Sequence, residues 1–328
     1  MKRLLTAIAA LLCINAAAQV QQEVAIVPNW NKGEVVKYKM TDVSTKITGS
    51  DTTDVKTTCG TLVFKVLKVT PESYKMSLTL KDMKYSDPSM EMLNEVRQVK
   101  SGDTKILYTV DLNGALVSVD NLQKVLAQGQ KLLDPAMGLM QQEYGGNMSQ
   151  EEYVSMYNTL KEVLSSPDYV MGSMSKYMTL FTFHGHQMKY GEKYEGESQV
   201  SSFVPGIEAP ITLKSVSYLD SERSTDDSVV AVMTRSSDGP DMVNALVEAL
   251  RKTVLASGPM TEEVEEFMAE FAVAMKEADM SLMENRMVQV ENVTGWPVKM
   301  SYNKDLDVTL NGVLTRKTNS REMVRVCE

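Results

Sequence analysis

The chain has 328 residues, 43% of them hydrophobic and 23% charged, with a formal net charge of −9. That length allows one large domain or two small ones. The acidic balance disfavours partners built on phosphate backbones, so no nucleic acid is expected to bind.

Met1-Lys2-Arg3, the apolar run from Leu4 to Leu12 and Ala16-Ala17-Ala18 before Gln19 have the three parts of a secretory signal peptide. The apolar run is shorter than the roughly 20 residues of a permanent membrane helix. The expected mature chain therefore starts at Gln19 and is periplasmic or secreted. It keeps two cysteines, Cys59 and Cys327. In an oxidising compartment these are candidates for one disulfide tying the last strand to an early one; the alternative is two thiols.

Residues 19–32 lack periodicity and read as an extended leader. From there to residue 328 the pattern is that of a single α+β domain. Val36, Tyr38 and Met40 alternate with polar residues, as do Leu62, Phe64 and Val66, and Tyr74, Met76, Leu78 and Leu80. The phase slips at Met83 and Tyr85, which predicts a bulge near Asp82. Ile106 to Leu112 runs into Asn113-Gly114 and then Leu116, a hairpin signal.

The period then changes, and a helical insertion is expected at about 120–183. Asp120 with Gln123 marks its first N-terminus, and Ser149 with Glu152 forms a capping box. Leu122, Val125, Leu126, Leu132 and Leu133 share a face, and further stripes follow from Tyr153 to Leu164 and from Val170 to Phe181. Strands return around 187–203, 211–221 and 228–236. A second helical insertion is expected at about 240–279, with Glu262 and Glu263 in the first turn of a helix starting at Thr261. Closing strands follow around Trp296, Leu306 and Val324, with an Asn311-Gly312 turn. Strands, helices, strands, helices and strands in succession imply an α+β fold. Short links make the sheet mainly antiparallel, and the amphipathic helices supply its cover.

Methionine is the compositional outlier, with 24 residues. Spacings of three or four put Met137 and Met140, Met171, Met174 and Met178, and Met280, Met283 and Met287 on helical faces. Such residues either fill a core, line a surface that adapts to apolar partners, or offer soft ligands to Cu(I). The only histidines, His184 and His186, flank Gly185 and precede Met188. In a strand they would point to one face and form an N,N,S copper site, although Gly185 suggests a turn that breaks the parity. No nucleophile elbow, phosphate-binding glycine loop or zinc-binding helix motif is present, so no catalytic residue or cofactor is expected. Glu262, Glu263, Glu265 and Glu266 read as a solvated helix face.

Gly33-Glu34-Val35-Val36-Lys37-Tyr38-Lys39-Met40 and Thr294-Gly295-Trp296-Pro297-Val298-Lys299-Met300 resemble stretches of uncharacterised exported proteins of the Bacteroidota. Such proteins are similar in plan to the lipoprotein-localisation carriers. That resemblance implies a strongly curved antiparallel sheet wrapped around helices, with an apolar groove between them. This chain is much longer than the carriers and has two helical insertions. The leading expectation is a non-enzymatic protein binding an apolar ligand or lipidated partner between sheet and helices, with Met171, Met174, Met178, Met268 and Met275 lining the site. The alternatives are a structural or interaction component of the envelope with a filled core, and a copper-binding protein.

Overall fold

A computed structural model describes residues 23–143, 149–200, 211–225, 228–237, 242–257, 261–277, 279–310 and 312–326. Residues 1–18, read as a signal peptide, and Cys327 lie outside the described residues.

The fold is α+β, built on a large antiparallel sheet. Its strands are β2 (Val35–Thr48), β3 (Asp51–Val69), β4 (Ser73–Tyr85), β5 (Thr104–Asp111), β6 (Leu116–Val119), β8 (Lys193–Val200), β9 (Ile211–Leu219), β10 (Val229–Ser237), β11 (Asp279–Glu291), β12 (Pro297–Leu310) and β13 (Val313–Arg325). The spatial order is β6-β5-β4-β3-β2-β13-β12-β11-β10-β9-β8. Two meanders, one from each end of the chain, meet at the β2–β13 pair in mid-sheet. A separate two-stranded ribbon pairs β1 (Glu23–Ile26) with β7 (His186–Lys189).

The segment read as a leader is part of this structure. Val24, Ile26 and Trp30 are buried in the main core. Their spacing carries no long alternation because β1 is only four residues long.

Five helices among the described residues follow β4 or β6. These are α1 (Pro88–Ser101), α2 (Leu122–Gln130), α3 (Leu133–Glu143), α4 (Gln150–Ser165) and α5 (Pro167–Met178), the last running into a 3-10 turn at Thr179–Phe181. A second pair, α6 (Met242–Ser257) and α7 (Glu262–Glu277), joins β10 to β11. Helix α1 is absent from the sequence reading, yet its start is marked. Asp87 accepts from the Ser89 and Met90 amides, and Pro88 stands in the first turn, where its missing N–H costs nothing.

The Ser149–Glu152 capping box forms in both directions. The expected Asp120–Gln123 cap does not. Asp120 accepts from Thr109 and Ser118 instead, and Asn121 holds β5 through the Leu107 amide and the Lys105 carbonyl. Met280, Met283 and Met287 lie in β11 rather than on a helix. Their i, i+3 and i+4 spacing also occurs by chance along a strand, where the pairing Met280↔Val308 fixes the conformation.

The bulge forms where the phase slips. Thr61 pairs with Lys81 and Cys59 with Lys84, so Asp82 and Met83 both face Gly60. Asp82 takes φ 50°. A Cβ at residue 60 would collide with Met83 Sδ, so a larger residue there would have to displace the flexible thioether of the bulged methionine.

Both helical insertions cover the same face of the sheet. Strand parity puts Leu219, Val288 and Met300 on one side with Leu213, Leu282 and Leu306. The first group belongs to the core that includes Val170 and Met174 of α5. The second packs with Leu246, Ala249 and Leu250 of α6 and, at its edge, Met268 and Phe271 of α7.

Candidate functional site

Across the covered face the residues fall into transverse rows, each fixed by the pairing register. One row is apolar: Leu219, Val232, Val288, Met300, Met323, Met40, then Gly60. The next row is polar throughout: Ser217, Thr234, Arg286, Tyr302, Arg321, Asp42, Thr58. So is the one after it: Ser215, Ser236, Glu284, Lys304, Asn319, Ser44, Lys56. Beyond it, on the β9 to β12 side, the face is apolar again with Leu213, Leu282 and Leu306. A two-row polar belt thus separates the two hydrophobic clusters.

Polar groups packed away from water need partners, and most of the belt has them. Arg321 grips Asp42 with two bonds, Nε to Oδ1 at 2.6 Å and Nη2 to Oδ2 at 2.7 Å. Its third donor, Nη1, reaches the Lys176 carbonyl in the last turn of α5, where a cation suits the helix dipole. Buried Glu284 accepts from Tyr302 Oη at 3.1 Å and from Arg286 Nη2 at 3.2 Å. Burial and the adjacent Glu284 carboxylate push the Tyr302 phenol well above its usual range. Burial also holds the Lys304 ammonium below the usual lysine range; Glu284 opposes that and Lys317 adds to it. Arg286 Nε and Ser236 Oγ are buried without a hydrogen-bond partner among the described residues.

A pocket of about 450 Å³ opens over the belt between the sheet and the C-terminal end of α5. Beside it lies an apolar cleft of about 470 Å³ between α1, α3, α4 and the start of α5. Its walls include Met90, Leu93, Ala136, Leu139, Met140, Leu160 and Leu164. The two cavities share a border. Thr58 of the belt pairs with Tyr85 of the cleft, and Lys56 of the belt bonds Asp87 of the cleft at 3.1 Å. Burial raises the Tyr85 phenol pKa, with Arg97 opposing it. Tyr177 nearby is pushed up to about 12, again chiefly by burial.

The sequence-derived candidates are dispersed. Met174 is fully buried in the main core, with Met171 and Met178 packed against it. Met268 belongs to the second cluster. Met275 lies in α7, and its side chain is outside the described positions. Met171, Met174, Met178 and Met268 do not line the apolar cleft, which takes Met90 and Met140 instead. Cys59 is a half-buried thiol whose Sγ lies 4.0 Å from Thr41 Oγ1.

His184 and His186 do not share a strand face. His184 sits in the turn before β7, with Gly185 at φ 81°. Its Nε2 lies 2.6 Å from the Gly295 carbonyl and its Nδ1 3.1 Å from the Phe181 carbonyl. Both ring nitrogens thus face backbone carbonyls, to one of which the neutral imidazole donates its single N–H. Met188 is buried opposite Val24 in the β1–β7 ribbon. Among the described residues no cluster of three or more His, Cys, Asp or Glu is arranged to hold a metal.

His184 belongs instead to an aromatic plug at one end of the sheet. Trp30 stacks on Trp296 and contacts Tyr74, Phe181 and His184 at centroid distances of 5.1 to 5.7 Å. Tyr74 Oη donates to the Pro28 carbonyl. A Cβ on Gly114, in the β5–β6 hairpin, would lie 3.1 Å from His184 Cβ.

The belt escaped the sequence reading, though a trace of it was there. On β12 the apolar phase Val298, Met300, Leu306, Val308 is interrupted by Tyr302 and Lys304. On β2 the phase Val36, Tyr38, Met40 continues into Asp42 and Ser44. Each interruption alone reads as a strand end. Only the register aligns them into rows.

No family model matches this chain, and no curated protein matches it. Among solved structures it is similar to a chain described under lipid–protein interactions in lipovitellin. That match has 7% identity and a TM-score of 0.42, and covers 90% of this chain. This chain spans about a quarter of that one's length, 25%. A mutant porin of Rh. blastica matches at 7% identity and TM-score 0.20, covering 89% of this chain and 100% of the porin. OmpT, an outer membrane protein of Vibrio cholerae, matches at 10% identity and TM-score 0.20, with the same coverage. Likenesses this distant establish neither family nor ligand.

Proposed function

We propose that this protein is an exported, non-enzymatic binder that holds an apolar ligand or lipidated partner between its helices and a strongly curved sheet. The observation that carries this reading is the cleft between α1, α3, α4 and α5. Its volume, about 470 Å³, falls within the roughly 300–1,000 Å³ of small-molecule sites, and its wall is mostly hydrocarbon with few polar anchors. Flexible Met90 and Met140 suit a wall that adapts to varied chains.

Curvature is supported by His184. Strands β5 and β12 stand five positions apart in the sheet order, about 24 Å on a flat sheet at ~4.8 Å per strand. One imidazole nevertheless reaches the Gly295 carbonyl before β12 while packing on Gly114 after β5. A sheet bent toward its covered face accounts for both contacts and for helices lodged in its hollow.

Packed Met174 and Met137 favour a second reading, a structural or interaction component of the envelope with a filled interior.

Native mass spectrometry of gently purified protein tests the first reading, with a hydrophobic dye as a second probe. Co-purified lipid, or dye binding abolished by Ala136→Trp in the cleft, is the expected result. Absence of both removes the ligand reading and leaves the structural one.

A further inference from the structure

The belt pocket is unusual in charge. Lys56, Lys176, Arg286, Lys304 and Arg321 line it against the carboxylates of Asp42 and Glu284. Adding Asp87, which pairs with Lys56 on the shared border, gives five cations to three carboxylates. This excess sits in a chain whose formal charge is −9, so it concentrates positive potential where the rest of the molecule is negative.

Desolvation sharpens the imbalance. Buried cations are stabilised by pairing; Glu284 serves Arg286 and Tyr302, and Asp42 is taken up by both arms of Arg321. Arg286 Nε is left as a buried donor without an acceptor among the described residues. The helix end above the belt supplies Ser175, Lys176 and Thr179 as further polar lining. Charge-assisted bonds from such donors to an anionic oxygen are among the strong ones.

The belt pocket also adjoins the apolar cleft through Thr58–Tyr85 and Lys56–Asp87. A molecule seated across that border meets cations at one end and hydrocarbon at the other.

We infer that the polar belt is the subsite for the anionic head group of an amphiphile whose hydrocarbon chain occupies the adjoining helical cleft. This rests on the ligand-binding reading above and adds the ligand's charge and its orientation.

The test uses the full-length mature protein and three probes: lysophosphatidylglycerol, lysophosphatidylcholine with the same acyl chain, and inorganic phosphate. Lipids are titrated below their micellar concentrations, at low salt. The anionic lipid is expected to bind at least about tenfold more tightly than the zwitterionic one, a difference of about 1.4 kcal/mol. The double variant Lys176→Gln, Lys304→Gln should bring the two affinities within about threefold, because the anionic lipid loses more than lysophosphatidylcholine does. Millimolar phosphate should not displace the anionic lipid.

Equal affinity of wild-type protein for the two lipids would overturn the head-group assignment while leaving the ligand-binding reading intact. Phosphate binding as tightly as the anionic lipid would overturn it too, making the belt a site for free anions. Binding of neither lipid would remove both readings. The wild-type comparison decides the matter even where the double variant folds poorly.

Discussion

Trp30 lies against Trp296 with ring centroids 4.6 Å apart and planes 24° from parallel, joining the start of the described chain to the β11–β12 hairpin. These are the only two tryptophans in the chain, so intrinsic fluorescence reports this one cluster. Trp30→Ala removes a side chain only 4% exposed and should cost about 3–5 kcal/mol. Chemical denaturation followed by circular dichroism measures it. Removing residues 19–32 should destabilise at least as much, because β1 and Trp30 go together. A truncated protein as stable as the full chain would contradict the packed placement of that segment.

Gly295 and Gly312 form a natural pair for separating strain from collision. Both adopt positive φ, 71° and 74°. A Cβ on Gly295 would collide with the Val27 carbonyl and press on the Pro28 backbone, whereas one on Gly312 would meet nothing within 4 Å. Gly312→Ala should therefore cost only the left-handed backbone penalty, about 1–2 kcal/mol. Gly295→Ala should cost clearly more, since backbone cannot step aside as a side chain can. Equal losses in urea titrations would refute the contact.

The Arg321–Asp42 pair should behave as a unit. Its side chains are 18% and 29% exposed, so each loses much of its water. Asp42→Asn or Arg321→Met alone strands the partner's charge among packed groups, and the loss should exceed that of the double variant. A double-mutant cycle should give about 1–3 kcal/mol of coupling. Strict additivity would mean that the two side chains act independently in solution.

His184 gives a signed pH dependence. Burial holds its imidazole below the ordinary histidine range, against the pull of the Gly295 and Phe181 carbonyls, and His186 adds to the lowering. The folded state therefore binds fewer protons than the unfolded one just below the unfolded pKa, about 6.5. Its contribution is fully present above that value and is lost as pH falls through and below it. The midpoint temperature of wild-type protein should drop more between pH 7.5 and 5.5 than that of His184→Gln. Parallel curves for the two proteins would show that the ring titrates freely.

Cys59 should label as a thiol. Its half-buried Sγ lies beside Thr41 Oγ1, and it has no disulfide partner among the described residues. Alkylation without reductant, read by mass, should modify Cys59.

Much of the architecture was legible because strand periodicity and turn chemistry are local. The phase slip at Met83 marked a true bulge, and Ser149 with Glu152 marked a true cap. What was not legible depended on partners distant in sequence. Met280, Met283 and Met287 carry a spacing that suits a helix, and only pairing with β10 and β12 makes them a strand. His184 looked like a ligand until Gly295, 111 positions away, occupied its ring nitrogen. Helix α1 was readable from Asp87-Pro88 and went unread between two louder strands. The belt required seven strands in register before Tyr302, Arg321 and Asp42 became neighbours rather than isolated polar interruptions.

The seam between β2 and β13 has a kinetic consequence. Strand β13 belongs in the middle of the sheet, so β2 and β12 must both wait for it before the hydrogen-bonding ladder is complete. Contacts of such long sequence separation slow folding by their loop-closure entropy. Until β13 docks, β2 and β12 each keep an open strand edge, and the two halves of the sheet stay unjoined.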